Sequence, residues 1–330
     1  MNKIIRKFDV KISVPIIGDP SISKLEPPTG FKYKEVKLDE YEYKNKITDA
    51  NKELLYEYNM AIFKKDNEDN EDYLMTLDLD EILEYDLSTQ NTSTTNDDIK
   101  LEKEQMLFKY FSLLHLIKEG DVAWHYKFFW IVSTTPARNN CKLRHSDKID
   151  SSSADMTTYF SEPMKITDED VIEFDELLSY DDRVYQMLKN VALDDFTFNY
   201  CIYDSTTNFK SLITILEVLF IKKSDRERKK DLLAKRVSNF IESNDKDIEE
   251  VNRNISDLYK LRNDVVHSGA EVLRENLNML RDYTRRCIKE YMECLSVILK
   301  EHPQMKFYDV RAYIVKQICD EIENRENSKN

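Results

Sequence analysis

The chain has 330 residues, of which 41% are apolar and 34% charged, with only 4 glycines, 7 prolines and a formal net charge of −14. That length and apolar content allow two domains with true cores, and the scarcity of glycine and proline disfavours a turn-rich all-β fold. No apolar run reaches the roughly 18 residues of a membrane span, and Met1–Lys7 lacks the apolar core and cleavage site of a secretory signal, so a cytoplasmic protein is expected.

The five cysteines (Cys141, Cys201, Cys287, Cys294, Cys319) are odd in number and form no CxxC pair. They read as reduced thiols, and neither a metal nor another cofactor is expected. Charge is divided unevenly. Residues 205–330 carry 24 Lys+Arg against 22 Asp+Glu, whereas residues 1–204 carry 25 against 41. The acid therefore lies almost wholly in the first two thirds of the chain.

In chain order, Lys3–Val14 and Phe31–Leu38 alternate apolar and polar residues and predict strands, separated by a stretch rich in Pro and Gly. Asp49–Phe63 fits a helix. Lys64–Asp72 is an acidic run expected to be a solvated loop, and Asp78, Asp80, Glu81, Glu84 and Asp86 read as a charged helix face sooner than as a magnesium site. Ser88–Asn96 is low in complexity and predicts a loop. A helix capped by Asp97 or Asp98 then runs to about Lys118 and stops at Gly120, and the aromatic run Trp124–Val132 reads as a strand, followed by a polar loop over Asn139–Ser153. From Thr167 onward every segment has helical spacing: Asp181–Leu193, Thr207–Lys222, Arg228–Ile241, Asp247–His267, Ala270–Glu301 and Tyr308–Asn324. The expected fold class is α+β, with an acidic mixed α/β N-terminal domain over 1–165 and an all-α bundle over 166–330.

One stretch looks like chemistry. Leu258-Tyr259-Lys260-Leu261-Arg262-Asn263-Asp264-Val265-Val266-His267-Ser268-Gly269 reads as the last turns of a helix, with Leu258, Leu261 and Val265 on its buried face and Gly269 at the stop. On an ideal helix Arg262 sits at the edge of that face, while Asn263 and His267, four apart, are neighbours on the other side, so that Asn263 can orient the imidazole. Arg262 and His267 stand about 140° apart around the axis and about 7.5 Å apart along it. They converge only if the last turn distorts or if two copies of the helix pool their residues. The chemistry such residues support is metal-independent RNA cleavage. An imidazole removes the ribose 2′-OH proton or protonates the leaving 5′-oxygen, and a permanently charged guanidinium stabilises the pentavalent phosphate, leaving a 2′,3′-cyclic phosphate. The bland alternative is a chance Arg-x4-His spacing with a histidine complementing the helix dipole.

A basic run, Lys222, Lys223, Arg226, Arg228, Lys229, Lys230, Lys235 and Arg236, could hold RNA phosphates or serve as a solvated inter-helix loop. His115, His125 and His145 read as packing or solvent residues.

Leu261–Gly269 resembles the Arg-x(4–6)-His motif of HEPN domains, which carry Asn, Asp or His after the arginine. The order of three blocks, Leu212–Phe220, Asp231–Val237 and the motif helix, resembles the Apea-like HEPN group, as does Leu116-Ile117-Lys118-Glu119-Gly120-Asp121-Val122 upstream. Ala123-Trp124-His125-Tyr126 departs from the smaller pattern usual there. The resemblance covers roughly 101–132 and 170–300. It implies a homodimeric helical bundle, RNase activity with Arg262 and His267 as the catalytic pair and Asn263 as their polar companion, RNA or tRNA as substrate, and a role in bacterial antiphage defence by abortive infection, started by a trigger of phage origin. On this reading residues 1–165 form an Apea-like regulatory or sensing domain whose acid restrains the basic segment. The alternative within the same family is a non-catalytic RNA-binding or dimerisation scaffold.

Overall fold

The computed structural model describes residues 5–37, 62–64, 72–86, 95–120, 122–124, 127–133, 148–150, 163–200 and 204–328. The fold is α+β, and the chain divides into two units, Met1–Asp175 and Glu176–Asn330. The division lies ten residues beyond the 165/166 boundary read from the sequence. Met164, Ile166 and Phe174 are buried, and Phe174 packs edge-on against Tyr110 of the first unit, which draws this stretch into that unit's core.

The first unit is built on an antiparallel sheet. Its strands are β1 (Ile5–Ile17), β2 (Phe31–Lys37), β3 (Ile62–Lys64), β4 (Asp72–Asp86), β5 (Ala123–Trp124), β6 (Lys127–Ser133) and β7 (Lys148–Asp150). The order is β2-β4-β1-β6-β7, with β3 on β4 and β5 on β1. Alternation fixes which face is buried: Phe8, Val10, Ile12 and Val14 of β1 lie inward, and Phe8, Ile12 and Val14 are paired with Leu83, Leu79 and Leu77 of β4. Helix α1 (Asn96–Ile117) meets this face. Tyr110 shares a 2.5 Å hydroxyl hydrogen bond with Tyr33, Lys103 pairs with Glu81 at 2.7 Å, and the Asn96 amide donates to the Ile131 carbonyl at 3.0 Å.

Three expectations for this unit need correction. The acids at 78–86 lie on strand β4, not on a helix. The period of two is disguised because Glu81 points inward, where Lys103 neutralises it, while Ile82 points outward and is 67% exposed. Ile62 and Phe63, expected to end a helix, belong with Lys64 to strand β3, paired through Ile62 with Leu74; residues 49–61 lie outside the described residues. The cap of α1 is Thr95, with Asp98 closing a capping box. Most of the loops expected at 64–72, 88–96 and 139–153 also fall outside the described residues, although Lys148–Asp150 forms β7. Helix α1 ends at Ile117 with Lys118 as its extended cap, and Gly120, three residues on, has φ +146; a Cβ there would stand 2.7 Å from the Cα of Met164. Only glycine lets the two backbones approach so closely.

The second unit is all helical. Helix α2 (Asp168–Ser179) spans the division. It is followed by α3 (Asp182–Leu188), which continues through a π turn (Lys189–Leu193) into α4 (Asp194–Phe198), and by α5 (Ser205–Phe220), α6 (Lys229–Ile241), α7 (Asp245–Ser268), α8 (Arg274–Glu301) and α9 (Phe307–Ser328). A 3₁₀ turn (Lys223–Arg228) leads into α6. Helix α8 buries a stripe from Leu277 through Ile298, whereas Leu273, which precedes the helix, is 52% exposed. Tyr291 of α8 lies among Phe220, Phe240 and Phe307 at ring separations of 6.1, 5.8 and 6.4 Å. Helix α7 packs along α6, and α5 and α8 form the layer behind them.

Candidate functional site

The motif lies on α7, which begins at Asn244, whose side chain accepts from the Asp247 amide, and stays α-helical without a break to Ser268. Gly269 closes it in the left-handed conformation, φ 71 and ψ 28. The Asp264 carbonyl collects the amides of Gly269 and Ala270 and, at 2.6 Å, the Ser268 hydroxyl. The expected glycine stop is thus in place, and the last turn carrying His267 is held by its own backbone.

The buried residues of α7 are Val251, Ile255, Leu258, Tyr259 and Val265. Their spacing inserts Arg262 into the apolar seam: 251, 255, 258, 262 and 265 follow one another at intervals of four and three. Leu261, expected on this face, is only half-buried, and Arg262 is half-buried within the seam instead of standing at its edge. An arginine tolerates that place because its aliphatic stem packs while its head reaches outward.

Asn263 also differs from expectation. Its side-chain carbonyl accepts from Arg262 Nη1 at 3.3 Å, and no hydrogen bond joins it to His267. It orients the guanidinium, not the imidazole. His267 is exposed on the final turn and forms no hydrogen bond or ion pair with the described residues. The unbroken helix keeps Arg262 and His267 about 140° apart. One chain therefore presents the two groups without bringing them together.

Beside Arg262 lies a polar cluster that motif reading did not reveal. The Tyr259 hydroxyl donates to Glu217 Oε1 of α5 at 2.7 Å, and Lys229 of α6 reaches Glu217 Oε2 at 3.2 Å. Burial pushes the Tyr259 hydroxyl up to about 12, the hydrogen bond to Glu217 and that residue's charge add to the rise, and the nearby Arg262 charge opposes it. Tyr259 therefore remains a donor at neutral pH. Nothing in the spacing of α5 singles out Glu217. Only the packing of α5, α6 and α7 makes the cluster visible.

The basic run divides. Arg236 is 5% exposed and donates to the Phe220 carbonyl at 2.7 Å and to Asp225. Asp225 also accepts from the Lys222 amide at 2.8 Å. Burial raises the Asp225 pKa, but the bonds from Arg236 and Lys222 outweigh it and hold the carboxyl below its ordinary range. Arg236 is thus a structural residue, closed off from a polyanion and removed from the RNA-contacting set. Lys229 pairs with Glu217, Lys230 with Asp231 at 3.5 Å, and Lys235 with Glu326 at 2.6 Å. Lys222 is half-buried, Lys223 and Arg228 are exposed and unpaired among the described residues, and the Arg226 side chain lies outside them.

His115 is fully buried in α1, whereas His125 and His145 lie outside the described residues. Cys287, Cys294 and Cys319 are free thiols. Burial raises Cys287, and burial followed by the neighbouring Glu290 raises Cys294 to about 11, so neither is a ready nucleophile. Among the described residues no group of three His, Cys, Asp or Glu side chains is placed to hold a metal ion, and no helix is long and apolar enough to cross a membrane. Comparison with protein-family models, curated proteins and solved structures returns no match for this chain.

Proposed function

We propose that this chain is a metal-independent endoribonuclease of the HEPN type, acting as a homodimer in which two copies of α7 pool their residues. The observation that carries the reading is the pairing, on one rigid helix, of a half-buried Arg262 steadied by Asn263 with an exposed, uncommitted His267 on a turn locked by Gly269. His267 is uncommitted and can carry a proton, and the head of Arg262 reaches out of the seam with only the neutral Asn263 carbonyl bonded to it among the described residues. In the proposed reaction His267 takes the 2′-OH proton or protonates the leaving oxygen. Arg262, supplied by the facing copy, holds the charge that develops on the phosphate. Lys223 and Arg228 are the exposed described cations of the basic run that can meet flanking phosphates. Residues 1–175 would then be the regulatory unit, restraining cleavage until a trigger arrives, with tRNA in the setting of antiphage defence as the substrate the HEPN resemblance suggests.

A second reading is a non-catalytic RNA-binding or dimerisation scaffold. It is favoured by one observation: Arg262 and His267 do not converge within a chain. Incubation of purified protein with total tRNA in EDTA separates the two. Cleavage by wild type that is abolished in His267→Ala supports the nuclease, and full activity in the variant removes it. Toxicity on overexpression, scored in parallel, covers the case of a missing trigger.

A further inference from the structure

At the end of α7 remote from His267 lies a cleft of about 290 Å³ between α6, α7 and α9. Ile248 and Ile322 supply its apolar surface, and Ile322 is 6% exposed. Three cations (Lys235, Arg253, Arg325), three acids (Asp245, Glu249, Glu326) and two asparagines line the rest. That balance disfavours a polyphosphate and favours a flat, neutral group offering both donors and acceptors. Several of the charges are already engaged. Lys235 is tied to Glu326 at 2.6 Å, and Arg325 donates to the Ser243 carbonyl at 3.2 Å. Glu249 and Arg253, neighbours at i and i+4 on α7, are exposed and bond to nothing among the described residues, although Arg253 acts on Asp257 through its charge.

The free pair is a carboxylate acceptor beside a forked donor. Among the bases, guanine matches it best: the adjacent N1–H and N2–H groups donate to a carboxylate, and O6 and N7 accept from a guanidinium. The cleft also connects to the motif. Arg253, Lys260 and His267 recur every seven residues and lie within about 40° of one another around the axis, spanning about 21 Å. All three are exposed, and Lys230 of α6 lies beside this stripe, close enough to influence Asp257. Asp257, bound to Lys260 at 2.7 Å, partly neutralises it. We propose that the cleft receives an unstacked guanine base of single-stranded RNA, held by Glu249 and Arg253 over Ile248 and Ile322, with the strand following Lys260 to His267. This inference deepens the nuclease reading and rests on it for the identity of the substrate. A stacked strand rises about 3.4 Å per nucleotide, so the recognised guanine lies within about six nucleotides of the cut.

The test is calorimetric titration of the full chain with GMP, AMP, CMP and UMP, in which the phosphate is common and only the base differs. The expected result is GMP binding about tenfold tighter than the others, with the preference lost in Glu249→Gln and Arg253→Ala. Both side chains are exposed, so folding is unaffected, and circular dichroism verifies this. Equal binding of all four nucleotides, no binding, or a GMP preference that survives Glu249→Gln overturns the proposal. Because no cleavage is read, the two ideas fail separately. RNA cleavage without GMP preference removes the guanine site alone, and GMP preference without RNA cleavage removes the nuclease alone.

Discussion

Arg262 and His267 are five residues apart on one unbroken helix, and that interval decides what a single chain can do. The stem of Arg262 lies in the seam between Leu258 and Val265, while the imidazole stands free on the last turn. Asn263 is bonded to the arginine, and in the proposed site the two act together. Asn263→Ala is expected to lower cleavage by about tenfold, Arg262→Ala by about 10²–10³, and Asn263→Asp to recover part of the loss because a carboxylate holds the guanidinium at least as well. Equal effects of Asn263→Ala and Arg262→Ala on the cleavage rate would contradict this division. Tyr259→Phe removes a hydrogen bond to a carboxylate and is expected to cost about 1–2 kcal/mol in urea denaturation. The pH sign follows from the raised Tyr259 value. Its contribution is fully present below the unfolded tyrosine value near 10. It is lost as pH climbs toward its folded value of about 12. The Tyr259→Phe variant should therefore lose less stability than wild type across that alkaline window.

At the scale of elements, helices were legible and the sheet only partly so. Helices α5 to α9 follow from three-and-four spacing and from stops such as Gly269, because each buries one continuous stripe. Strand β4 escaped because tertiary partners override its local pattern: Lys103 makes an inward Glu81 acceptable, and Ile82 faces out. The motif residues were also legible, but Arg262's position in the seam depends on where Val251 and Ile255 lie two to three turns earlier on the same helix. Glu217 and the cleft at Glu249 need three helices together and have no linear signature. Two substitutions test the packing directly. Gly120→Ala forces a Cβ against the Met164 backbone at 2.7 Å and is expected to cost about 2 kcal/mol or more by chemical denaturation. Asp225→Asn strips the buried Arg236 of its counter-charge and is expected to cost about 3 kcal/mol. Since the Asp225 pKa is lowered in the fold, that contribution is complete above the unfolded carboxyl value and fades as pH falls through the folded one. A wild-type stability curve no steeper in acid than that of Asp225→Asn would contradict it.

For the whole molecule, the uneven charge and the separation of Arg262 from His267 are joined in the proposed nuclease. The bundle residues 205–330 are near neutral, while residues 1–204 carry most of the acid. A restraining role for the acidic unit predicts that the bundle alone cuts RNA faster than the full chain, and that salt narrows the difference. Identical, salt-insensitive rates would dismiss restraint and leave the nuclease untouched. The proposed dimer carries more weight, since one straight α7 cannot turn Arg262 and His267 onto the same phosphate. The most direct measurement mixes two inactive chains, Arg262→Ala and His267→Ala, and follows tRNA cleavage in EDTA. A mixed dimer retains one site with Arg262 from one copy and His267 from the other, so the mixture is expected to regain about a quarter of wild-type activity while each variant alone stays silent. Wild-type cleavage with a silent mixture would contradict the pooled site, and a wild type that leaves RNA intact after induction in phage-infected cells would contradict the nuclease itself.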